Sequence, residues 1–241
     1  MTAWVLIAVG AALSCGLEMV EALAIVLAVG VTRGWRDALV GAVGAVGALA
    51  AVAGLVGPVL LAALPLSLLR AVVGVALLLF GLEWLRKGVL RLAGRRSPSD
   101  SLREYLEERE AMEALPPVPE GRADWAARVV AFKGVLLEGL EVVLIVAALS
   151  GGAQGAAPAL VGAGVAVACV LAIGAIVHRP LARVPESHLK YGVGVMLSSF
   201  GVFFLAEGLG VHWPGGDAAL LYVAAALLAV SQLQVARVAA S

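Results

Sequence analysis

Long apolar runs constrain this chain more than any other feature. A helix that crosses the hydrocarbon core of a bilayer needs roughly 20 consecutive apolar residues. Seven runs of about this length occur, at 3–31, 38–63, 67–90, 127–150, 157–178, 189–210 and 218–236. They are too long for barrel strands, and only helices or closed barrels satisfy their backbone polar groups in lipid. We therefore predict an all-α polytopic membrane protein with seven transmembrane helices.

Composition agrees with this prediction and excludes several classes of protein. The chain is 62% hydrophobic and 14% charged, whereas a soluble domain is about half apolar and a quarter charged. The formal net charge of +0 gives no basic surface for a nucleic acid. Cys15 and Cys169 both lie in apolar runs, without the spacing of a zinc site or a disulfide framework. The first run is too long for a secretory signal, so we expect a retained helix in the plasma or inner membrane.

Basic residues between the runs predict the orientation. They lie at the ends of runs or in the loops after the first, third, fifth and seventh runs: Arg33, Arg36, Arg86, Lys87, Arg91, Arg95, Arg96, Arg179, Arg183, Lys190 and Arg237. The alternate loops are nearly free of basic side chains. Because cytoplasmic loops carry the excess of Lys and Arg, the N-terminus is predicted to lie outside and the C-terminus in the cytoplasm.

The chain also resembles itself when it is shifted by 120 positions. The matched pairs include acidic, basic and Phe-Gly positions: Glu18 with Glu138, Glu21 with Glu141, Arg70 with Lys190, Gly74 with Gly194, and Phe80-Gly81 with Phe200-Gly201. Runs one to three thus correspond to runs four to six. Since three is odd, the two copies must cross the membrane in opposite senses. Such an inverted repeat is typical of transporters that work by alternating access.

The repeat predicts four parts of the chain. Residues 1–92 form the first three-helix repeat, and 127–212 form the second. The polar segment 93–126 is predicted to be a solvated cytoplasmic linker with a short surface helix over 101–114, because Ser101 to Glu104 resembles a capping box. Residues 213–241 contain the seventh helix and the C-terminus.

Each copy of the repeat carries two glutamates in the middle of its first apolar run. Glu18 and Glu21 are three positions apart, as are Glu138 and Glu141, so each pair shares one helix face. A carboxylate at bilayer depth costs several kcal/mol, which marks it as a functional residue. If the repeat brings both pairs together, a bound cation compensates their charge. Oxygen ligands favour iron(III), manganese, calcium or magnesium, here as a transported ion and not a resident cofactor.

Other side chains near the glutamates are candidates for lining the path of the ion. Two precede Glu18 by about one turn and three lie on the sixth run: Ser14, Cys15, Tyr191, Ser198 and Ser199. Each also has an ordinary structural interpretation. A buried Cys is commonly inert packing, and a Ser in a membrane helix commonly bonds to the backbone or to a neighbouring helix.

The two acidic segments resemble a motif of a known family. Leu17-Glu18-Met19-Val20-Glu21 and Leu137-Glu138-Gly139-Leu140-Glu141 are similar to the Arg-Glu-x-x-Glu motif of oxidase-dependent iron permeases. The resemblance implies seven helices, an outside N-terminus, and motif glutamates in the first and fourth helices that carry ferric iron inward. It also implies an oxidase or an extracellular metal-delivery protein as partner. The arginine of the motif is Leu17 in one copy and Leu137 in the other.

Three alternatives stay open at this point. The segment from Leu66 to Gly81 is similar to the third helix of manganese and calcium exporters of the lysine-exporter superfamily. A non-transporting membrane scaffold or assembly factor would use the acids to bond a partner's helices. An intramembrane enzyme would use them as acid and base. We do not expect an enzyme, because the sequence has neither a nucleotide-binding loop nor a Ser/His/Asp arrangement.

Overall fold

The computed structural model describes residues 2–63, 65–96, 101–119, 121–150, 154–176 and 186–240, and these are helical apart from short connections. The elements are α1 (Thr2–Arg33), α2 (Trp35–Ala63), α3 (Leu66–Leu92), α4 (Ser101–Glu113), α5 (Trp125–Ser150), α6 (Ala157–Ile176), α7 (Glu186–Gly208), the 3₁₀ turn η1 (Gly216–Ala218) and α8 (Ala219–Ala240). No strand occurs among the described residues. The loop residues Arg179 and Arg183, which contributed to the predicted orientation, lie outside this part.

Each predicted apolar run corresponds to one of the seven long helices, although the sixth run ends two residues after α7 and the seventh begins one residue before α8. Residues 177 and 178 of the fifth run lie outside the described residues. Five of the helices, α1, α2, α3, α7 and α8, are long and apolar enough in their described parts to cross a membrane, and α6 contributes the shorter apolar segment Ala157–Ala172. Helix α5 carries Lys133, Glu138 and Glu141 within its apolar run. The multi-pass, all-helical membrane protein predicted from the sequence is confirmed. The number of seven spans and their orientation stay predictions.

The helix packing is symmetric between the first three helices, α1 to α3, and the three helices α5 to α7. Helix α3 packs mainly on α7, α1 on α5 and α6, and α2 on α5. If α1 is exchanged with α5, α2 with α6 and α3 with α7, the same helices are in contact: the α1–α6 pair becomes the α2–α5 pair, and the α3–α7 and α1–α5 pairs are unchanged. An inverted repeat of three helices produces this symmetry. The boundaries of the four predicted parts of the chain stay a prediction.

Helices α3 and α7 are antiparallel and touch through their glycines. A Cβ built on Gly74 would lie 2.3 Å from the amide nitrogen of Leu205, and one on Gly88 would lie 2.9 Å from the Cβ of Tyr191. On the opposite helix, a Cβ on Gly194 would lie 2.6 Å from the amide nitrogen of Leu85. Small residues allow helices in lipid to approach this closely. Gly194 is the repeat equivalent of Gly74, and Leu205 is the equivalent of Leu85, each 120 positions later. The two contacts are therefore equivalent under the repeat.

The contacts of α1 with α6 and of α2 with α5 repeat in the same way. A Cβ on Gly41 of α2 would lie 2.3 Å from the carbonyl oxygen of Arg128 on α5. A Cβ on Gly162 of α6 would lie 2.1 Å from the carbonyl oxygen of Ala8 on α1. Both helix pairs are therefore packed backbone against backbone, which fixes where α1 and α5 cross.

The segment between the two halves contacts the bundle through its helix, of which one described residue is buried, while most of the segment's described residues are exposed. The cytoplasmic linker stays a prediction. The predicted short helix is present as α4, although the side chains of Ser101 and Glu104 lie outside the described part. Met112 of α4 is 5% exposed and packs in a cluster with Ile25 of α1 and Ala131 of α5. The contact is made by an apolar side chain on an otherwise charged helix, and sequence charge alone does not show where such a helix packs.

A network of ion pairs holds the end of this segment. The Arg33 side chain donates to Asp124 Oδ2 at 2.6 Å and to the carbonyl oxygens of Leu115 and Pro116. Asp124 also accepts from the amide of Ala127 in the first turn of α5, as an N-cap does. The segment after α4 is therefore tied to the end of α1 and to the start of α5.

Candidate metal site

The crossing of α1 and α5 brings the two glutamate pairs to one place. Glu18, Glu21 and Glu138 each offer a carboxylate oxygen, and these atoms lie within 4.8 Å of one another. Oxygen ligands lie about 2.0–2.6 Å from a hard cation, so two ligands of one ion are at most about 5 Å apart. Three carboxylates from two helices thus meet the distance requirement for binding one metal ion.

A polar cavity of about 150 Å³ contains these carboxylates. Its lining consists of all four glutamates together with an aromatic and several basic side chains: Glu18, Glu21, Trp84, Lys87, Arg91, Arg96, Glu138, Glu141 and Lys190. Glu141 belongs to the cavity but not to the group of three that lies within 4.8 Å. The cavity runs from the glutamates along the C-terminal part of α3 to Arg96, which is exposed. The loop charges predict that this end is cytoplasmic.

Glu18 is the most deeply buried member of the group. Its residue is 2% exposed, and Oε1 has no hydrogen-bond partner among the described residues. A buried polar atom without a partner is unfavourable, and such an atom in a folded protein calls for an explanation such as an ion. Glu18 Oε1 is therefore an oxygen that is available as a ligand.

Lys190 reaches the site from a third helix. Its Nζ donates to Glu21 Oε1, and the two side chains are only 14% and 15% exposed. Sequence reasoning missed this pair because the partners are 169 positions apart and share no local pattern. The one signal in the sequence is the match of Lys190 with Arg70 in the repeat. Arg70 itself lies 3.9 Å from Glu207, so the two equivalent residues have different partners.

The two positions that hold arginine in the family motif lie in different environments. Leu17 is 6% exposed and belongs to an apolar cluster that includes Leu77 and Leu197. Leu137 is 52% exposed. Neither residue lines the described cavity. The basic side chains of the site therefore come from α3, the turn that follows it and α7, and not from the acidic motifs.

The five predicted path-lining residues are buried among the helices, and the described cavity does not include them. Ser14 and Ser199 donate to backbone carbonyl oxygens of their own helices, those of Gly10 and Val195. Their role in a transport path stays a prediction.

The other three members of this set have different surroundings. Cys15 is fully buried in an apolar cluster. The hydroxyl groups of Tyr191 and Ser231 lie 2.5 Å apart and join α7 to α8. Ser198 is fully buried where Gly81 of α3 meets α7.

Comparison with known proteins identifies a family that part of the chain resembles. The bundle defines a multi-pass membrane protein with a buried acidic site. Residues 83–197, slightly less than half of the chain, match the model of the Iron permease FTR1 family. This confirms the resemblance to iron permeases over that segment, which contains Glu138, Glu141 and Lys190. Glu18 and Glu21 lie before it.

The remaining comparisons add no relative. Neither a curated protein nor a solved structure matches the chain. The similarity to the lysine-exporter superfamily is not shown by any comparison.

Proposed function

We propose that this protein is a membrane permease for a metal cation, and that Glu18, Glu21, Glu138 and Glu141 form its central site. The observation that carries the proposal is the meeting of three carboxylates from α1 and α5 within 4.8 Å, inside a multi-pass membrane protein. The match of residues 83–197 to the Iron permease FTR1 family supports transport as the activity and iron as the ion. Manganese and calcium are the next candidates, because they also prefer oxygen ligands.

Electrostatics explains why such a cluster favours a cation. Two ionised carboxylates whose oxygens lie within 4.8 Å of each other repel by roughly 3 kcal/mol or more at an effective dielectric constant of about 20. A metal ion between them replaces this repulsion by attraction to each oxygen. Burial of Glu18 increases the effect, because water screens a buried charge poorly.

The shape of the bundle supports alternating access as the mechanism. The cavity leads from the glutamates toward one end of α3. The opposite side of the bundle is closed by aromatic side chains near the C-terminal end of α7. These are Phe200, Phe203 and Phe204, which are only 2–3% exposed. The Phe203 ring stacks on Trp213, with centroids 5.8 Å apart. Rocking of one three-helix unit against the other would open the aromatic side and close the cavity, as in other inverted repeats.

Flux measurements in proteoliposomes test this proposal. Uptake of iron, manganese and calcium is compared for the wild type, Glu18→Ala and Glu141→Ala. We expect flux of the transported ion to fall at least about tenfold for Glu18→Ala, the loss of a buried ligand, and less for Glu141→Ala. Glu113→Ala is the matched control, because Glu113 pairs with Arg109 on the exposed side of α4 and does not line the cavity. Equal flux in all four proteins would contradict a glutamate-based permease.

A further inference from the structure

We propose that Lys190 is a tethered competitor for the metal site. In this interpretation its ammonium group and the transported ion bind the same carboxylate, that of Glu21, so that the metal binds only when Lys190 leaves. The inference rests on the proposed permease function and adds a residue that decides how tightly the ion is held.

The first observation is the contact itself. Lys190 Nζ donates to Oε1 of Glu21, which is one of the three residues of the carboxylate group. Both side chains are largely withdrawn from solvent, at 14% and 15% exposure. Two cations at one buried carboxylate repel each other strongly, because the surrounding dielectric constant is low. Metal binding and the Lys190–Glu21 pair therefore oppose each other.

The second observation is where Lys190 is anchored. The carboxylates project from α1 and α5, whereas Lys190 projects from α7. Its ammonium sits on a flexible four-carbon stem, so it can withdraw without moving the ligands. Because it belongs to a different helix, movement of α7 against α1 would also change the distance between Lys190 and the site.

The third observation is that the pair occurs in only one half of the repeat. The equivalents of Lys190 and Glu21 are Arg70 and Glu141, and Arg70 lies beside Glu207 instead. Lys190 lines the cavity, whereas Arg70 is not among the residues of the described lining. The competing cation thus lies on the side toward which the site is open. There it would promote release of the ion and prevent its return.

A purely structural salt bridge between α7 and α1 is the alternative, and the two make opposite predictions. If Lys190 only stabilises the bundle, its removal lowers stability and leaves metal affinity unchanged or weaker. If Lys190 competes with the metal, its removal makes metal binding tighter.

Equilibrium binding of iron and of manganese to the purified full-length protein tests the inference. We expect Lys190→Met to bind the metal about tenfold more tightly than the wild type, since one local competing charge is removed. Lys87→Met is the matched control. It removes the same charge from the same cavity, but Lys87 pairs with Glu83 at 3.2 Å. Of the four glutamates it acts on Glu141, through its electrostatic field and without a hydrogen bond. We expect this substitution to change affinity less than about threefold, through general electrostatics alone.

A second variant keeps the test valid if Lys190→Met folds poorly. Lys190→Cys is prepared in a Cys169→Ser background, because Cys169 is the exposed native thiol, whereas Cys15 is buried. Aminoethylation of the introduced thiol restores a positive charge, and methylation of the same thiol leaves the site neutral in the same folded protein. The methylated form is expected to bind the metal more tightly than the aminoethylated form.

The outcomes separate this inference from the function on which it rests. If wild-type binding depends on Glu18 but Lys190→Met and Lys87→Met change affinity equally, or not at all, the competitor role is wrong and the permease stands. If neither iron nor manganese binds in a manner that Glu18→Gln abolishes, the proposed site fails, and the role of Lys190 fails with it.

Discussion

Gly81 on α3 and Ser198 on α7 meet backbone against backbone, so closely that a Cβ on Gly81 would lie 2.3 Å from the amide nitrogen of Ser198. A Cβ on Gly201 would likewise lie 2.5 Å from the amide nitrogen of Leu78. Gly201 is the repeat equivalent of Gly81, 120 positions later, and Leu78 is the equivalent of Ser198, 120 positions earlier. The contact between α3 and α7 therefore consists of two equivalent glycine contacts, one from each copy of the repeat. It places the basic residues of both helices around the glutamates of α1 and α5.

Substitution of either glycine should destabilise the crossing to a similar degree. Because the nearest atom that a new Cβ would meet is a backbone nitrogen in both cases, the helices must separate, and overpacking of this kind costs about 1–3 kcal/mol. We expect lower melting temperatures for Gly81→Ala and Gly201→Ala in detergent.

Gly192→Ala is the control for this pair of variants. A Cβ on Gly192 meets nothing within 4 Å, and alanine favours a helix over glycine by roughly 0.5–1 kcal/mol. Its melting temperature should stay the same or rise. A strong effect of Gly81→Ala with none of Gly201→Ala would contradict the equivalence of the two contacts.

Two kinds of feature could be predicted from the sequence: helices, from local residue patterns, and the equivalence of the two halves, from the 120-residue repeat. Apolar runs of helical length predicted the long helices, and the three-residue spacing of Glu18 and Glu21 predicted a shared helix face. The shift matched the glutamates of α1 with those of α5. Convergence of Glu18, Glu21 and Glu138 then followed from the packing of equivalent helices.

Contacts between distant residues could not be predicted in this way. The pairing of Lys190 with Glu21 depends on how α7 lies against α1, and a side chain carries no local signal of its partner. The contact of α4 with the bundle through Met112 could not be predicted for the same reason, since sequence charge alone does not show where a charged helix packs. The arrangement of unlike helices around the site requires the structure.

The ion pair of Arg33 with Asp124 should contribute strongly to stability. The two side chains are 9% and 7% exposed, and removal of one partner of a buried pair typically costs about 3–5 kcal/mol. Asp124→Ala also removes the acceptor for the amide of Ala127. We therefore expect a large drop in melting temperature for Asp124→Ala and a smaller one for Asp124→Asn, which keeps the cap oxygen.

A surface pair of the same chemistry provides the comparison. Arg109 and Glu113 of α4 are 2.8 Å apart with side chains 45% and 53% exposed, and such pairs contribute about 0.3–0.5 kcal/mol. Glu113→Gln should leave the melting temperature nearly unchanged. Equal effects of Asp124→Asn and Glu113→Gln would show that the Arg33–Asp124 pair is not buried in the folded protein.

The contact of Tyr191 with Ser231 favours a role in the attachment of α8 over the path-lining role predicted from the sequence. The hydroxyl of Tyr191 shares a buried hydrogen bond with Ser231, and loss of one such bond costs about 0.5–1.5 kcal/mol. We expect Tyr191→Phe to lower the melting temperature while metal flux stays at the wild-type level. Tyr222→Phe, which alters an exposed hydroxyl, should change neither. A loss of flux in Tyr191→Phe without a loss of stability would instead place Tyr191 in the ion path.

The location of the transported metal tests the proposed glutamate site most directly. Anomalous scattering from crystals grown with iron or manganese should show one ion about 2.0–2.6 Å from carboxylate oxygens of Glu18, Glu21 and Glu138. The same peak should be absent from the Glu18→Gln protein. A bound ion held elsewhere, for example beside Glu207, or a peak that persists unchanged in Glu18→Gln, would contradict the site.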